Sequence, residues 1–377
     1  MKGKQGMVCM GLLLVLSSCH TGKQITASGL QRKDFQTEVN GQHTDLFTLS
    51  NKQGMEVCIT NYGARVVSIL VPDRNGKRED VVCGFSTITE YMEQRQNFGS
   101  TVGRYIGRIL NARFTLDGVE YKLVPNNGKS GHISHGGNPG FADRIWKVEQ
   151  ADTHRVCLSY LSPDGENGFP GNLKVTLVYS LGEDDNALDL TYEATTDAPT
   201  VLNLSHHSFF NISGNFTKSV EDQQLWVDAD RFTPYDDKKC VTGEYLPVAG
   251  TPLDFRMPHA IGECIDADHP QLKVVNGYDH TWELNTKGDD TRPAAWVYDP
   301  ASGRKMEIFT TEPGMQIYTG NGLKGKMTGK GGIAYPFRSA VCFETMHFQD
   351  SPNQPEFPST VLRPGEVFHS HTVYKFE

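Results

Sequence analysis

The strongest constraint on the fold is a period-two alternation of apolar and polar side chains between residues 173 and 194. Apolar residues occupy every second position from 173 to 181, a turn-like Gly-Glu-Asp-Asp-Asn stretch follows at 182–186, and the alternation resumes from 188 to 194. Successive side chains of a strand point to opposite faces of its sheet. The pattern therefore predicts an antiparallel hairpin with one buried face.

Similar signals recur along the chain. Two short alternating stretches flank Asp117-Gly118, a dipeptide that supplies the positive φ angles of a tight hairpin turn, and residues 368–376 alternate as well. Long helical periodicity is nearly absent, and 38 glycines and 19 prolines punctuate short strands. These features predict an all-β protein built as a large antiparallel β-sandwich. Because no linker, charge block or repeat divides the chain, we expect residues 35–377 to form a single domain.

The N-terminal sequence has the features of a secretion signal. Two lysines precede a short apolar run at residues 11–16, and small residues follow, which predicts a signal peptide over residues 1–18. The apolar run is too short for a membrane-spanning helix. Leu-Ser-Ser-Cys at 16–19 resembles the lipobox of bacterial lipoproteins, so we expect a lipid on Cys19 and a polar tether over residues 19–34. The alternative is an ordinary signal peptide with a chance cysteine.

Charge and cysteine usage exclude several classes of function. The formal net charge is −9 and would be −11 without Lys2 and Lys4. This balance argues against nucleic acid or anionic lipid surfaces as partners, since both call for basic patches. The cysteines form no CxxC motif, so a zinc ribbon or a thioredoxin-type centre is not predicted. Buried free thiols are the simplest interpretation, and disulfide pairing stays open.

Five segments place polar or ionisable residues within apolar context. They are 103–109 (GRYIGRI), 134–137 (SHGG), 203–211 (NLSHHSFFN), 276–280 (NGYDH) and 341–345 (VCFET). The candidate functional residues within them are Arg108, His135, His207, Asp279 and Glu344. Each alone has a structural explanation, such as an ion pair, a turn cap or a core histidine. Glu344 is the most demanding of them, because an ionised carboxylate in an apolar strand is costly unless it is paired or used.

Taken together and in this order, the five segments resemble the galactose mutarotase (aldose 1-epimerase) family. The resemblance runs from about Leu46 to the C-terminus and includes residues 162–171, 247–255 and 318–321. It implies a galactose mutarotase-like supersandwich with an open sugar cleft. It also implies an isomerase that interconverts the α and β anomers of free aldoses of the glucose or galactose type.

The resemblance further implies roles for individual residues. Glu344 corresponds to the general base and His207 to the general acid, while Arg108, His135 and Asp279 bind and orient the sugar. Ring opening needs a proton removed from the C1 hydroxyl and one delivered to the ring oxygen, for which a carboxylate and an imidazole are suited near neutral pH. A nearby carboxylate is expected to raise the pKa of His207 further.

The expected partner is a free monosaccharide, and no cofactor is required for the chemistry. Some family members hold a calcium ion, but no acidic loop of the EF-hand type places one here. A metal at His369 and His371 is disfavoured because no third ligand lies nearby in the sequence. We expect a monomer in the bacterial cell envelope, held by the lipid on Cys19 and facing the periplasm or the cell exterior.

Two other functions stay open at this stage. A non-catalytic carbohydrate-binding protein on the same scaffold would bind sugar without changing its anomeric equilibration. A glycosidase would use Asp279 and Glu344 as its two carboxylates, but the histidines would then lack a role.

Three departures from the family pattern leave the preferred sugar undetermined. Gly107 stands where the family usually has asparagine before the arginine, which removes an expected hydrogen bond to the sugar. Met346 stands where glutamine is common, and His206 stands where asparagine is common.

Overall fold

Antiparallel pairing dominates the computed structural model, which describes residues 24–377. The predicted signal peptide, Cys19 and the first residues of the predicted tether lie outside the described residues. The strands are β1 Glu38–Val39, β2 Gln42–His43, β3 Leu46–Ser50, β4 Glu56–Thr60, β5 Arg65–Pro72, β6 Arg78–Asp80, β7 Ser100–Val102, β8 Arg108–Ile109, β9 Arg113–Leu116, β10 Val119–Lys122, β11 Ile133–Ser134, β12 Lys147–Ala151, β13 Arg155–Ser162, β14 Leu173–Leu181, β15 Ala187–Thr196, β16 Thr200–Val201, β17 Ser205–His207, β18 Phe209–Phe210, β19 Gln224–Val227, β20 Arg231–Thr233, β21 Leu246–Pro247, β22 His259–Ala260, β23 Asp279–Glu283, β24 Ala295–Tyr298, β25 Lys305–Thr310, β26 Gly314–Tyr318, β27 Val341–Met346, β28 Val361–Leu362 and β29 Phe368–Phe376.

Helices are few and short in the described part of the chain. The α-helices are α1 Ile88–Gln94 and α2 Pro270–Val275, and 3₁₀ turns cover Arg32–Phe35, Leu110–Ala112, Gly128–Ser130, Phe141–Asp143, Glu166–Gly168, Ile261–Glu263, Lys330–Gly332 and Ser351–Asn353. Thr87 caps α1, since its side chain accepts from the Glu90 backbone N–H and the Glu90 carboxylate accepts from the Thr87 N–H. Within residues 24–377 no helix combines the length and apolarity that crossing a membrane requires.

The largest sheet has nine strands in the order β12-β13-β14-β15-β29-β25-β24-β19-β22. Its centre is the predicted hairpin: β14 and β15 pair in antiparallel register, with Leu177 opposite Tyr192 and Tyr179 opposite Leu190. Burial alternates along β14, as the sequence predicted. The shorter predicted hairpin around Asp117-Gly118 is also present, as β9 and β10.

A second sheet has six strands in the order β18-β27-β26-β23-β20-β21 and packs against the first. The contact is direct: the Tyr374 hydroxyl donates to the Phe343 carbonyl at 3.0 Å, and the hydroxyls of Thr345 and Thr372 lie 2.7 Å apart. A four-stranded sheet, β3-β4-β5-β6, adds apolar side chains to the same core. The prediction of a large antiparallel β-sandwich is confirmed.

The segment before β1 differs from the expectation. Residues 24–34, predicted as the end of a polar tether, pack against the protein instead. Thr26 and Leu30 are buried, and the Ala27 N–H donates to the Glu56 carboxylate at 2.7 Å. Polar composition suggested a solvated tether, but the segment is held by hydrogen bonds within its own backbone and to Glu56. Leu30 also packs into an apolar cluster.

The described cysteines form no disulfide, and the C-terminal His371 is hydrogen-bonded to carboxylates. All six cysteines in residues 24–377 are free, and Cys58, Cys83 and Cys342 are buried. His371 lies 2.7 Å from Asp290 and 3.3 Å from Asp189, so both of its ring nitrogens are used by carboxylates. These two contacts leave the His371 ring no free nitrogen for a metal.

Candidate active site

Strand β27 supplies the centre of the site through simple alternation. Phe343 and Thr345 point to the core between the two large sheets, where Phe343 belongs to the apolar cluster and the Thr345 hydroxyl contacts Thr372 of β29. Cys342, Glu344 and Met346 therefore point to the opposite face, where Glu344 and Met346 line a pocket. A residue type that the sequence marked as costly in an apolar strand is thus placed at the base of a cavity.

The neighbouring strands extend this surface. In register with Glu344 on β27 lies Gln316 on β26, and Tyr318 on β26 lies opposite Asp279 on β23. The Gln316 amide donates to the Asp279 carboxylate at 2.7 Å. Because facing residues of adjacent strands share one face, three strands deliver two carboxyl groups, one amide and one phenol to the same pocket.

The remaining predicted residues come from shorter elements at the rim. Arg108 begins β8, which pairs with β11, and His135 follows β11 directly. The His135 N–H donates to the Gly107 carbonyl at 2.9 Å. His207 ends β17, whose partner is β7. The structure thus brings all five predicted residues, Arg108, His135, His207, Asp279 and Glu344, to one pocket.

The central pair of the pocket is in direct contact. His207 Nε2 lies 3.2 Å from Glu344 Oε1, and both side chains are almost fully buried. The His207 ring stacks on Phe209 with centroids 5.1 Å apart and meets the edge of His135 at 5.4 Å. The other ring nitrogen, Nδ1, is 3.6 Å from Cys342 Sγ. The ring is therefore held on several sides while Nε2 faces the carboxyl group.

Burial controls the proton affinity of this pair. It raises the pKa of Glu344 well above its usual range, and the negative charge of Asp279 adds to that rise. It lowers the pKa of His207 well below its usual range, and His135 adds to the fall. The expectation that a carboxylate raises the pKa of His207 is therefore wrong, because desolvation disfavours the charged form of each partner.

The three predicted sugar-binding residues have pKa values shifted in different directions. Burial and the nearby Arg108 lower the pKa of His135 to about 4, so this ring is neutral near neutral pH. Burial raises the pKa of Asp279, which Arg108 and Gln316 partly counteract. Burial also opposes the charge of Arg108, yet Tyr235 and Asp279 outweigh it and raise the guanidinium pKa. Arg108 accordingly keeps its positive charge, while burial disfavours the charged forms of His135 and Asp279.

The three departures have different consequences. His206 points away from the pocket, where its Nε2 is 2.6 Å from the Ser208 hydroxyl and its ring packs near Tyr179 and Tyr374. Met346 does line the pocket and gives it an apolar wall. Gly107 also lines it, with a positive φ of 75°.

Sequence reasoning missed several polar residues of the pocket. Gln316 and Tyr318 were detectable in principle, since they alternate with the apolar Met315 and Ile317 in β26. Gln349 was not, because it lies in the loop after β27, where no periodicity applies. It nevertheless lines the pocket and is 4% exposed.

The cavity is open to solvent and measures about 240 Å³. Ligand pockets for drug-sized molecules span about 300–1,000 Å³, so this one suits a smaller ligand. Within residues 24–377, one trio of potential metal ligands has its donor atoms within 4.8 Å of one another, namely His207, Cys342 and Glu344. Burial raises the pKa of the Cys342 thiol well above its usual range, which disfavours the thiolate that a metal would need.

Comparison with known proteins points to one family. The family model described as aldose 1-epimerase matches residues 45–375. The chain is 39% identical over 330 residues to the galactose mutarotase of Sus scrofa, which covers 88% of this chain and 93% of that protein. It is 36% identical over 339 residues to the aldose 1-epimerase of Escherichia coli K12, covering 89% and 96%.

Solved structures give the same answer. An aldose epimerase homologue from C. elegans superposes with a TM-score of 0.81 at 31% identity, covering 89% of this chain and 99% of that chain. Galactose 1-epimerase from Lactobacillus acidophilus superposes with a TM-score of 0.79 at 28% identity, covering 90% and 96%. The predicted reaction class, interconversion of anomers by an isomerase, is confirmed by these relatives. The chain belongs to the aldose 1-epimerase family.

Proposed function

We propose that this chain interconverts the α and β anomers of a free aldose of the galactose or glucose type, with Glu344 and His207 as its proton-transfer pair. The observation that carries the proposal is the 3.2 Å contact between these two buried side chains at the base of an open pocket. The names of the relatives, galactose mutarotase among them, support the choice of sugar. Arg108, His135 and Asp279 bind and orient it.

The pKa directions favour a pair that holds one titratable proton, with Glu344 protonated and His207 neutral. Glu344 loses its proton only above its raised pKa, and His207 gains a second one only below its lowered pKa. Such a pair titrates as a unit. The reactive form is a carboxylate base beside an imidazolium acid, which arises when the proton passes across the contact from the carboxyl group to the imidazole. Burial opposes this transfer, and the charge of Arg108, which lowers the pKa of Glu344, favours it.

In this form the pair can open the sugar ring. Glu344 takes the proton of the C1 hydroxyl, the C1–O bond to the ring oxygen breaks as C1 becomes an aldehyde, and His207 delivers its proton to the ring oxygen. Rotation about C1–C2 and the reverse transfers close the ring on the other face. Each positioned proton transfer contributes about 10²- to 10⁴-fold. Every proton taken is returned, so this sequence consumes no cofactor.

Polarimetry tests the proposal directly. Fresh α-D-galactose or α-D-glucose is expected to reach its anomeric equilibrium faster with the protein than in buffer. Decay no faster than the buffer blank would exclude catalysis, and sugar binding measured by calorimetry would then support the carbohydrate-binding alternative. Release of reducing sugar from a glycoside would support the glycosidase alternative.

The attachment and location of the protein are separate proposals. We propose that a lipid on Cys19 anchors a monomer in the bacterial cell envelope, supported by the small residues before that cysteine and the apolar run at 11–16. Metabolic labelling with a fatty-acid probe is expected to mark the wild-type protein and to leave Cys19→Ser unlabelled. Label on both proteins, or on neither, would refute the anchor.

A further inference from the structure

We infer that Gln349 is a positioning residue that also determines sugar specificity, an inference that rests on the proposed function. Gln349 reaches the pocket from the loop after β27 and is almost fully buried beside Gly107. It is the residue with which a side chain at position 107 would collide. A Cβ added to Gly107 would lie 2.5 Å from Cγ and 3.1 Å from Cδ of Gln349.

Two features disfavour a side chain at position 107, namely the positive φ of 75° and the collision with Gln349. Two carbon atoms cannot approach to 2.5 Å, so either residue 107 or residue 349 can fill this volume, but not both. The family resemblance places an asparagine at position 107. In this chain the glycine leaves the space open, and the Gln349 side chain occupies it from the adjacent loop, where the Asp350 N–H donates to the Arg108 carbonyl at 2.8 Å.

The hydrogen bonds of the amide determine what it can offer a sugar. Its nitrogen donates to the Tyr235 hydroxyl at 2.6 Å and to the Gln316 amide oxygen at 3.3 Å. Its oxygen accepts from the backbone N–H of Arg108 at 3.3 Å. Both amide hydrogens are thus committed, whereas the oxygen keeps one lone pair. Toward the pocket Gln349 is therefore an acceptor, suited to a sugar hydroxyl that donates.

The same contacts connect Gln349 to a predicted sugar-binding carboxylate. Gln349 holds Gln316, and Gln316 holds Asp279 at 2.7 Å. Loss of the Gln349 amide is therefore expected to loosen Asp279 as well. The pocket would recognise a free aldose through one hydroxyl at Gln349 and through others at the orienting groups.

A substitution that keeps the shape tests the hydrogen bonds. Gln349→Met removes both polar atoms at nearly unchanged volume, and we expect KM to rise about 3- to 10-fold with a smaller change in kcat. Among the monodeoxy forms of the preferred sugar, one should be disfavoured by the wild type but not by Gln349→Met. The matched control is Gln150→Met on the exposed edge strand β12, which should change neither quantity.

A second pair of variants tests the shared volume. Gly107→Asn alone is expected to lower kcat/KM about 10-fold, because overpacking displaces Gln349. Adding Gln349→Ala removes the collision, so the double variant should be more active than Gly107→Asn alone. Removal of the Gln349 side chain should thus raise kcat/KM in the Gly107→Asn background. If the two residues acted independently, the same removal would have the same effect on kcat/KM in both backgrounds.

The outcomes separate the two proposals. A wild-type protein that fails to mutarotate any aldose overturns the proposed function, and the variants then still report on Gln349 through sugar affinity in calorimetry. An active wild type with unchanged KM and unchanged deoxy-sugar discrimination in Gln349→Met overturns the role of Gln349. A double variant no more active than Gly107→Asn overturns the claim that residues 107 and 349 compete for the same volume. Thermal melts identify any variant that fails to fold.

Discussion

Two histidine–glutamate pairs meet near strand β27, and their electrostatics are opposite. The pocket pair is His207 and Glu344, with 3.2 Å between nitrogen and oxygen. The framework pair is His347 and Glu312, with 2.7 Å between them. Burial lowers the pKa of both imidazoles, but Glu312 outweighs it and raises the pKa of His347, whereas the pKa of His207 falls well below its usual range.

The surroundings account for this difference. The Asn203 side chain donates to the His347 carbonyl and accepts from the His347 N–H, both at 3.0 Å, so the framework pair is fixed in place. The pocket pair faces a cavity, and two neighbouring groups shift its pKa values: His135 lowers that of His207 and Asp279 raises that of Glu344. Contact with a carboxylate is therefore not sufficient by itself to fix the direction of an imidazole pKa shift: Glu312 outweighs burial at His347, whereas burial prevails at His207. Desolvation and the other charges decide that direction as well.

The largest expected effect is kinetic and belongs to the pocket pair alone. Glu344→Gln and His207→Asn should each lower the rate of mutarotation about 10²- to 10⁴-fold, since each removes a proton-transfer group. Glu312→Gln should stay within about threefold of wild type because Glu312 does not reach the pocket. Polarimetry on the three variants measures this contrast. Equal losses in both pairs would contradict the assignment.

The free energy of unfolding should respond in the opposite way, with the larger loss in the framework pair. Glu312→Gln is expected to lower the free energy of unfolding by about 1.5–3 kcal/mol, the usual contribution of a hydrogen bond to a charged group. Glu344→Gln should leave it unchanged or raise it near neutral pH. The raised pKa of Glu344 means that folding must hold a proton there which the unfolded chain would release. Urea denaturation monitored by Trp fluorescence decides, and a large loss in Glu344→Gln would count against the buried neutral carboxyl.

The pH dependence of stability sharpens the same contrast. The pKa of His347 is raised in the folded protein, so its stabilising contribution is fully present below the unfolded value of 6.5 and is lost as pH rises through the folded pKa. The stability difference between wild type and His347→Asn should therefore be greatest below pH 6.5. Denaturation curves across pH measure it. A difference that grows with increasing pH would show that the sign is wrong.

The smallest expected effect is a shift of the pH–rate profile. The alkaline limb marks loss of the single proton of the pocket pair, through Glu344. Asp279→Asn should move that limb to lower pH, because Asp279 raises the pKa of Glu344. Arg108→Met should move it to higher pH, because Arg108 lowers that pKa. Profiles of kcat/KM against pH for both variants test the two predicted directions. Shifts of the alkaline limb in the same direction would contradict the opposite effects of Asp279 and Arg108 on the pKa of Glu344.

The strand pattern was sufficient for the fold because period two is a local property. Alternation in β14 and β15 identified the hairpin and its buried face without knowledge of the other strands. Composition was a weaker guide for residues 24–34: the polar residues suggested a tether, yet Thr26 and Leu30 are buried and the Ala27 N–H donates to Glu56. Short polar segments carry no periodicity from which packing could be inferred.

The site divides in the same way between local and tertiary information. The sequence by itself determined the antiparallel sandwich and which ionisable residues interrupt apolar strands, since chain geometry and the cost of burying a charge act at each position. Only the tertiary structure decided that Glu344 touches His207, that burial raises the pKa of Glu344 and lowers that of His207, and that Gln349 fills the space beside Gly107. Those properties depend on distances and desolvation between segments far apart in the chain, which no local pattern encodes.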